Sequence, residues 1–529
     1  MVSLVLIALV LLLVLFYSQY RALQRNIRSA RDSGLKYVVA PSWLPLSLFY
    51  RTWAIGYEPF EKQGVDTFII VSPAGNVMWT CDPDVILQLT ARHNDFVKPT
   101  EMLGMLNIYG PTITAAEGDE HRRYRKIAAP FLNEDTHQTV WTETISQAQS
   151  MLEHWNCNKG VGVVPDVNVD ANRFALHVLS KAFFNRPMAW DDKTVIPPGH
   201  KLSYSKAIST VFKNYSTLFM IPKPVLKISP AQEHKLCLEA YDEFKIYMEE
   251  MVADEKQHIA STQDSSDNDN LLQNFVKASQ SPDTETQIPD AAVFGNLFIF
   301  TLAGHETSAN TLTFALSLLA CRPDFQAALH ADINDILGAR RDTPASWTYP
   351  QDYSRLMDGH IGALMNETIR LYTVLPFIPK TNPSVQSLTV DGNKHILAAN
   401  TLAIVNTSAV HRHPKYWLQP SSSPTKAAEG PPYALSSFRP EFWLNKQNVV
   451  PGSFVPFAEG FRSCLGTRFA KVEFCAAVAT ICAEFEVQLI GGTDTEAIKA
   501  GARRISQEVK FEMGLKPSDA IGLRFVKRR

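Results

Sequence analysis

A long apolar segment between Pro289 and Pro323 sets the strongest limit on how this chain can fold. Its side chains are apolar almost all the way round a helix, which is typical of a helix buried through the middle of a large protein. About thirty helical residues would span about 45–50 Å. The chain has 529 residues, of which 45% are hydrophobic, and can enclose such a helix. A peptide, a disulfide-stapled module and a disordered tail are therefore excluded.

The sequence Ala303-Gly304-His305-Glu306-Thr307 lies at the centre of this segment. Glycine costs about 1 kcal/mol in a helix interior, and a buried carboxylate costs more unless it is paired or takes part in chemistry. One interpretation is a packing glycine beside a paired glutamate. The other is a weakened turn in a pocket, where the Thr307 hydroxyl and the Glu306 carboxylate handle protons. The residues alone leave both interpretations open.

Helical periodicity dominates the rest of the chain. It predicts helices over 136–155, 232–257 and 468–485, with short strands at 67–71, 77–80, 388–390 and 402–405. Polar, small and turn-forming residues predict loops at 261–270 and 421–430. Together these patterns predict a mainly α fold with a small β-sheet region.

Residues 1–20, MVSLVLIALVLLLVLFYSQY, carry no charge and are long enough for one bilayer crossing. Because positive charge stays on the cytoplasmic side, the basic residues that follow predict an uncleaved transmembrane anchor with the body in the cytosol. A cleaved signal peptide is the alternative, but the segment lacks a basic start and a small-x-small cleavage site. Residues 21–45, with Pro41 and Pro45, are expected to be a stiff basic linker before one large domain, 46–529. The basic residues are Arg21, Arg25, Arg28, Arg31 and Lys36.

Charge and cysteine content exclude two further classes of protein. The 51 basic and 53 acidic side chains give a net charge of −2, so no nucleic-acid partner is expected. The seven cysteines are widely spaced and contain no C-x-x-C pair. A disulfide framework or a structural zinc site is therefore not expected, and a reducing compartment fits better.

One cysteine has a distinctive neighbourhood. Cys464 lies in the sequence FAEGFRSCLG, residues 457–466, directly before the predicted helix at 468. A thiol at a helix amino terminus near a cation ionises readily, and the thiolate can ligate a metal or attack an electrophile. Gly460 and Gly466 would let the backbone approach a large flat ligand closely. Cys475 and Cys482 are instead expected to be small buried hydrophobes.

This segment matches every specified position of F-x-x-G-x-R-x-C-x-G, the haem-binding loop of the cytochrome P450 family. Residues 303–307 resemble the oxygen-activation motif of that family, and residues 367–370, ETIR, are similar to its E-x-x-R. Residues 438–443, FRPEFW, look like its P-E-R-F segment, and 121–126, HRRYRK, stand in place of its W-x-x-x-R helix. The resemblance covers essentially the whole chain after residue 20. It is strongest to fungal microsomal members of secondary metabolism.

The resemblance implies haem b as the cofactor, with Cys464 as the axial ligand of its iron. It also implies a single haem-thiolate catalytic domain behind the anchor. Thr307 and Glu306 are assigned to proton delivery, and Glu367 and Arg370 to a structural ion pair. The remaining assignments are Phe457, Gly460 and Gly466 in the ligand loop, and Arg462, Arg125 and His121 at the haem propionates.

Two departures from the family pattern stand out. His121 replaces the usual tryptophan, although an imidazole N–H can still donate to a propionate. Phe442 stands where an arginine normally bonds the Glu367–Arg370 pair. An under-satisfied buried charge costs several kcal/mol, so a substitute donor is expected. Arg439 and His411 are the candidates.

The resemblance implies a membrane-bound monooxygenase that uses dioxygen to oxidise an apolar small molecule, by hydroxylation, epoxidation or several steps, in secondary metabolism. Its electrons are expected from NADPH through a separate NADPH–cytochrome reductase, because no room remains for a flavin domain after Lys527. We expect the protein to be located in the endoplasmic reticulum membrane, with its catalytic domain in the cytosol. Lys126, Arg468 and Lys471 are candidate reductase contacts. The substrate pocket is expected along 102–111, 202–220, 294–303 and 374–378.

The alternative is a haem-thiolate isomerase or dehydratase that does not use dioxygen. The acid–alcohol pair Glu306 and Thr307 argues against that reading, because such enzymes can dispense with it.

Overall fold

The computed structural model describes residues 2–157, 160–190, 196–261, 270–283, 285–417, 438–444, 449–512 and 514–528, without the side chains of residues 2–5, 8 and 45–50. The chain forms two compact units. The first comprises residues 1–99, 363–464 and 502–519, and the second comprises residues 100–362, 465–501 and 520–529. Of the two predicted loops, 421–430 lies outside the described residues, as do all residues of 261–270 except Ser261 and Asn270.

Helices account for most of the described chain. They are α1 (Val2–Ser33), α2 (Trp43–Ile55), α3 (Glu58–Gln63), α4 (Pro83–Ala91), α5 (Thr100–Leu103), α6 (Gly118–Ala128), α7 (Glu134–His154), α8 (Val167–Phe184), α9 (Tyr204–Lys213), α10 (Tyr215–Met220), α11 (Lys223–Ile228), α12 (Gln232–Ser261), α13 (Leu271–Ser279), α14 (Asp290–Ala320), α15 (Pro323–Leu337), α16 (Tyr349–Met357), α17 (His360–Leu371), α18 (Thr407–Val410), α19 (Pro414–Trp417), α20 (Glu441–Leu444), α21 (Thr467–Glu484) and α22 (Thr495–Gln507).

The strands are short. They are β1 (Tyr37–Val39), β2 (Thr67–Ser72), β3 (Gly75–Thr80), β4 (Val161–Val164), β5 (Ile378–Thr381), β6 (Gln386–Val390), β7 (Asn393–Leu397), β8 (Leu402–Val405), β9 (Phe485–Leu489), β10 (Val509–Phe511), β11 (Leu515–Pro517) and β12 (Leu523–Lys527).

Within its described residues, the first unit holds a five-stranded sheet in the order β1-β2-β3-β8-β5. Strands β2 and β3 pair antiparallel, with Thr67 opposite Thr80, whereas β1 and β8 join the sheet in parallel. Apolar side chains of β2 and β3 form a buried core with Phe60 of α3, Phe68 and Trp79 being at most 3% exposed. The same core includes Val455, which precedes the cysteine loop, and Leu89 of α4.

The second unit is built around α14. This helix packs against α8, and α21 packs against α7. Most side chains of α14 are buried, as expected for a segment that is apolar all round. A small antiparallel sheet in the order β4-β12-β9 completes this unit. The long apolar segment of the sequence is therefore the core helix of the second unit.

The prediction of a mainly α fold with small sheets is confirmed. The predicted helices at 136–155, 232–257 and 468–485 correspond to α7, α12 and α21, and the strands near 67, 77, 388 and 402 correspond to β2, β3, β6 and β8. Part of the predicted linker 21–45 is folded: β1 pairs with β2, and α2 begins at Trp43. Pro45 fits there because the first turn of a helix needs no backbone N–H bond.

In the described part of the chain, no helix has both the length and the apolar character needed to cross a membrane.

Candidate active site

The cysteine loop belongs to the first unit and closes on itself through its backbone. The N–H of Cys464 donates to the carbonyl oxygen of Phe457 at 2.8 Å, and the N–H of Ser463 donates to that of Gly460 at 3.0 Å. Gly460 has a φ of +69°, and a Cβ there would lie 2.5 Å from the carbonyl oxygen of Thr90. A side chain at position 460 would therefore force the loop away from α4. These contacts hold the thiol in one place.

Cys464 is the exposed thiol among seven cysteines, all of which the structure describes. Burial raises the pKa of each of the other six thiols, so those groups remain protonated. Because a thiolate ligates metal ions and a thiol does not, the accessible sulfur of Cys464 is the one suited to coordinate iron. The residues present thus fit a haem with a thiolate ligand.

The ion pair predicted from the E-x-x-R motif is present in the first unit. Arg370 donates from Nη2 to Oε1 of Glu367 at 2.6 Å and from Nε to Oε2 at 2.8 Å. Glu367 is 1% exposed and Arg370 is 4% exposed. Burial alone would raise the pKa of Glu367, but the Arg370 guanidinium outweighs it and holds the pKa below its usual range. The carboxyl is therefore ionised and depends on its donors.

Both predicted residues contact the ion pair, but through backbone atoms, so neither side chain replaces the missing arginine. Arg439 donates to Glu367 Oε1 from its backbone N–H at 2.7 Å, while its guanidinium donates to the carbonyl oxygen of Trp417. His411 offers its carbonyl oxygen to Arg370 at 2.8 Å. The remaining donor is the indole N–H of Trp443, 2.9 Å from Glu367 Oε2. Sequence reasoning missed Trp443, although it is the residue next to Phe442 that carries a side-chain N–H.

The A-G-H-E-T turn interrupts the burial of α14 in the second unit. Ala303 is exposed, and Gly304, Glu306 and Thr307 are half-buried. The Thr307 hydroxyl donates to the carbonyl oxygen of Ala303 at 2.7 Å. The residues of α8 approach Gly304 so closely that Leu179 would have to move for a Cβ. The glycine is therefore a packing residue, while the acid and the alcohol lie at a surface.

His305 of the same motif points the other way, into the protein. It is 6% exposed, its Nδ1 is bonded to the carbonyl oxygen of Thr301 at 2.7 Å, and its ring stacks on Phe212 at 4.8 Å. Burial lowers the pKa of His305 to about 4. The ring is therefore neutral near pH 7 and is not a candidate acid there.

The candidate propionate ligands on α6 also lie in the second unit. His121 and Arg125 are one turn apart, so both lie on one face of the helix. His121 is 4% exposed, and Arg125 is half-buried. Gly466, at the start of α21, has a φ of −79°, which any residue can adopt. Backbone freedom therefore explains the glycine at 460 and not the one at 466.

The three basic residues expected to face a reductase differ in environment. Arg468 is occupied: Nε and Nη2 donate to the Tyr349 hydroxyl at 3.1 and 3.0 Å, and its guanidinium lies 4.6 Å from the ring centre of Tyr353. Lys471 is half-buried, and burial lowers the pKa of its ammonium group. Lys126 is exposed. Lys126 is thus the one of the three best placed to meet an acidic partner.

Within the second unit, the loop at 107–113 is held against α12 and α14. The Asn296 side chain, fully buried, accepts the backbone N–H of Ile113 at 2.9 Å. The Tyr109 hydroxyl donates to the carbonyl oxygen of Tyr241 at 3.1 Å, and the two rings stack at 4.6 Å. Sequence reasoning placed both 102–111 and 294–303 in the pocket, and these ranges include Tyr109 and Asn296. It did not predict the hydrogen bond by which Asn296 holds the loop.

The candidate residues are thus divided between the two units. The first unit carries Cys464, Phe457, Gly460, Arg462, Glu367 and Arg370, and the second carries Thr307, Glu306, His121, Arg125 and Gly466.

Known proteins resemble this chain over most of its length. The model of the family "Cytochrome P450" matches residues 68–513. Cytochrome P450 monooxygenase ORF6 of Penicillium roqueforti is 28% identical over 482 residues, covering 87% of this chain and 82% of that protein. The phomenoic acid biosynthesis cluster cytochrome P450 monooxygenase of Leptosphaeria maculans is 27% identical, covering 82% of this chain and 78% of that protein. The solved haem domain of cytochrome P450DA superposes with a TM-score of 0.68 at 20% identity, covering 89% and 92% of the two chains. The chain belongs to the cytochrome P450 family, the haem-thiolate monooxygenases.

Proposed function

We propose that this protein inserts one atom of dioxygen into an apolar small molecule of fungal secondary metabolism. The observation that carries the proposal is Cys464, an exposed thiol within a backbone-closed loop that matches the family motif at every specified position. The Leptosphaeria maculans relative is named for a phomenoic acid biosynthesis cluster, which supports the assignment to secondary metabolism.

Haem b is the proposed cofactor, and it would supply the oxygen-activating chemistry, with a thiolate ligand adding electron density to its iron. Cys464 would ligate the iron, with Phe457 and Gly460 shaping the loop and Gly466 following it. Arg462, Arg125 and His121 would bind the propionates, because guanidinium and imidazole N–H groups donate well to carboxylates.

The proton-handling pair is Thr307 and Glu306. Both side chains are half-buried on a helix most of whose side chains are buried, so they can reach water and substrate from a rigid support. The hydroxyl of Thr307 can donate and accept at once, and the Glu306 carboxyl can resupply its proton. This pair favours oxygen chemistry over isomerisation or dehydration.

We also propose that residues 1–20 anchor the protein in the endoplasmic reticulum membrane, ahead of a catalytic domain in the cytosol. Between Leu6 and Tyr17, the described large apolar side chains are 51–73% exposed. The later part of α1 packs on the sheet instead, where Asn26 donates to the carbonyl oxygen of Ser72 at 2.8 Å. An apolar surface of this kind, followed by basic residues, fits a lipid environment. Electrons would come from NADPH through a separate membrane-bound reductase.

The test is product analysis with purified full-length protein, NADPH, a fungal cytochrome P450 reductase and a panel of apolar metabolites under ¹⁸O₂. We expect a product that gains one ¹⁸O atom and forms only with NADPH. Conversion that proceeds without NADPH or without label would instead identify an isomerase or a dehydratase. Boiled reductase serves as the control for uncatalysed oxidation.

A further inference from the structure

We propose that Trp443 is a positioning residue for the cysteine loop, holding Glu367 through its indole N–H where the family motif has an arginine. The inference rests on the proposed role of Cys464 as haem ligand. In this chain, a neutral indole would take the place of the family's arginine as the donor to Glu367. A series of hydrogen bonds would connect that donor to the loop that carries Cys464.

Among the described residues, the Glu367 carboxylate has four donor groups, two on each oxygen. Oε1 accepts hydrogen bonds from Arg370 Nη2 at 2.6 Å and from the backbone N–H of Arg439 at 2.7 Å. Oε2 accepts hydrogen bonds from Arg370 Nε at 2.8 Å and from the Trp443 indole N–H at 2.9 Å. Hydrogen bonds to an ionised acceptor are the strong ones, and a buried acceptor that loses a donor bears the full desolvation cost. Trp443 is therefore needed to complete the set of hydrogen-bond donors around the Glu367 carboxylate, which is 1% exposed.

A neutral donor also suits the charges of this cluster. Glu367 and Arg370 already balance one another, and the Arg370 guanidinium lies 5.0 Å from the centre of the Trp417 ring. A guanidinium at position 442, which is half-buried, would have to share the one carboxylate with Arg370. Phe442 instead packs on Trp417, with ring centres 5.4 Å apart.

The route to the cysteine loop runs through His411. The Nη1 of Arg370 donates to the His411 carbonyl oxygen at 2.8 Å, and the ring Nε2 of His411 accepts the backbone N–H of Val455 at 2.9 Å. Burial, with Arg370 and Arg412 nearby, lowers the pKa of His411 to about 3. The ring is therefore neutral at physiological pH, and Nε2 stays free of a proton and able to accept.

Val455 then connects directly to the ligand loop. Its carbonyl oxygen accepts the N–H of Ala458 at 3.1 Å, and the Phe457 carbonyl oxygen accepts the N–H of Cys464 at 2.8 Å. All of these contacts lie within the first unit. Displacement of Glu367 would thus be passed to the backbone that carries the thiol.

The variant Trp443→Phe removes the N–H and keeps a ring against Phe454, which lies 4.6 Å from the Trp443 ring. We expect the rate of haem transfer from the holoenzyme to excess apomyoglobin to rise about tenfold, as expected for loss of one hydrogen bond to a buried ion. The thermal unfolding midpoint should fall, and part of the carbon monoxide difference spectrum should shift away from the thiolate-type band.

A rescue experiment distinguishes whether Trp443 acts through its indole N–H or only through the packing of its ring. The double variant Trp443→Phe/Phe442→Arg restores a donor at the family's position and should bring the haem-transfer rate back to within about twofold of wild type. Phe442→Leu, which leaves the indole in place, is the matched control and should also stay within about twofold. Trp443→His, which keeps an N–H, should lie between wild type and Trp443→Phe.

An unchanged haem-transfer rate in Trp443→Phe would overturn the proposal. So would a raised rate that neither Phe442→Arg nor Trp443→His reduces, because the site would then act by packing alone. A further outcome is that Trp443→Phe fails to accumulate as folded protein. In that case, accumulation of the double variant supports the proposal. Failure of both the double variant and Trp443→His to accumulate contradicts it. A wild-type spectrum without a thiolate-type band would refute the proposed function itself, which keeps the two failures distinct.

Discussion

Thr307 is the residue whose hydroxyl the proposed oxygen chemistry needs most directly. Thr307→Ala should keep the fold, because the lost bond to Ala303 is internal to α14. It should uncouple NADPH consumption from product formation, since the alanine methyl cannot pass a proton. Thr311→Ala is the matched control, because Thr311 makes the same bond one turn later, to the Thr307 carbonyl oxygen at 2.8 Å. Equal coupling in the two variants would remove Thr307 from proton delivery.

Glu473 on α21 should make stability depend on pH. It is 1% exposed, and burial raises its pKa to about 8, against a smaller opposing contribution from the Ser308 side chain. Because the unfolded chain releases this proton near the ordinary pKa of 4.5, the free energy of unfolding should fall as pH rises from about 4.5 to 8. The substitution Glu473→Gln should remove this contribution to the pH dependence of the free energy of unfolding.

The measurement is denaturant unfolding of both proteins between pH 5 and pH 7. Between pH 5 and pH 7, the free energy of unfolding of the variant should rise by about 2–3 kcal/mol relative to that of wild type, at about 1.4 kcal/mol per pH unit. Other titrating groups cancel in the difference. A difference that does not vary with pH would show that Glu473 is ionised in the folded protein.

At the residue scale, the sequence identified chemistry that depends on residue type and spacing. Cys464 is recognisable because glycine and arginine surround it in a fixed pattern. The pairing of Glu367 with Arg370 follows from their spacing of three on one helix. Trp443 could not be assigned in the same way, because its contact joins residues 76 positions apart in the chain. The exposure of Cys464 is likewise a property of the folded loop.

Among the elements, α14 depends on a close approach of the loop at 107–113. A Cβ on Gly295 would overlap the carbonyl oxygens of Pro111 and Gly110, which are backbone atoms and cannot rotate away. Gly295→Ala should therefore destabilise the protein by about 1–3 kcal/mol, despite the higher helix propensity of alanine. The check is thermal or denaturant unfolding.

Gly304→Ala provides the comparison within the same helix. The contact there is the end of the Leu179 side chain, which can change rotamer. Alanine should then cost little or even stabilise the helix, which gains up to about 1 kcal/mol from the replacement of glycine. Equal destabilisation by both substitutions would contradict the loop-to-helix contact.

Periodicity placed the long elements well, because burial of one face repeats over several turns. The helices α7, α12 and α21 agree with their predicted ranges to within a few residues. Short elements gave no such signal. The three residues of β1 are held by pairing with β2, a contact about thirty residues away that no local pattern encodes.

For the whole molecule, removal of residues 2–20 should release the protein from membranes. The exposed apolar side chains from Leu6 to Tyr17 would then be lost, while the part of α1 that packs on the sheet would remain. Fractionation after alkaline carbonate should leave the full chain in the pellet and the truncated chain in the supernatant. The double variant Leu12→Glu/Leu15→Glu, at full length, should behave like the truncation. Retention of the truncated chain would point to another membrane contact.

The central claim is that Cys464 binds haem iron as a thiolate, and the carbon monoxide difference spectrum of the reduced, purified protein tests it most directly. Wild type and Cys475→Ala, which alters a buried thiol, should both show the red-shifted band diagnostic of thiolate ligation. Cys464→Ser should lose that band. A wild-type spectrum typical of histidine ligation, or a thiolate-type band that persists in Cys464→Ser, would contradict the account.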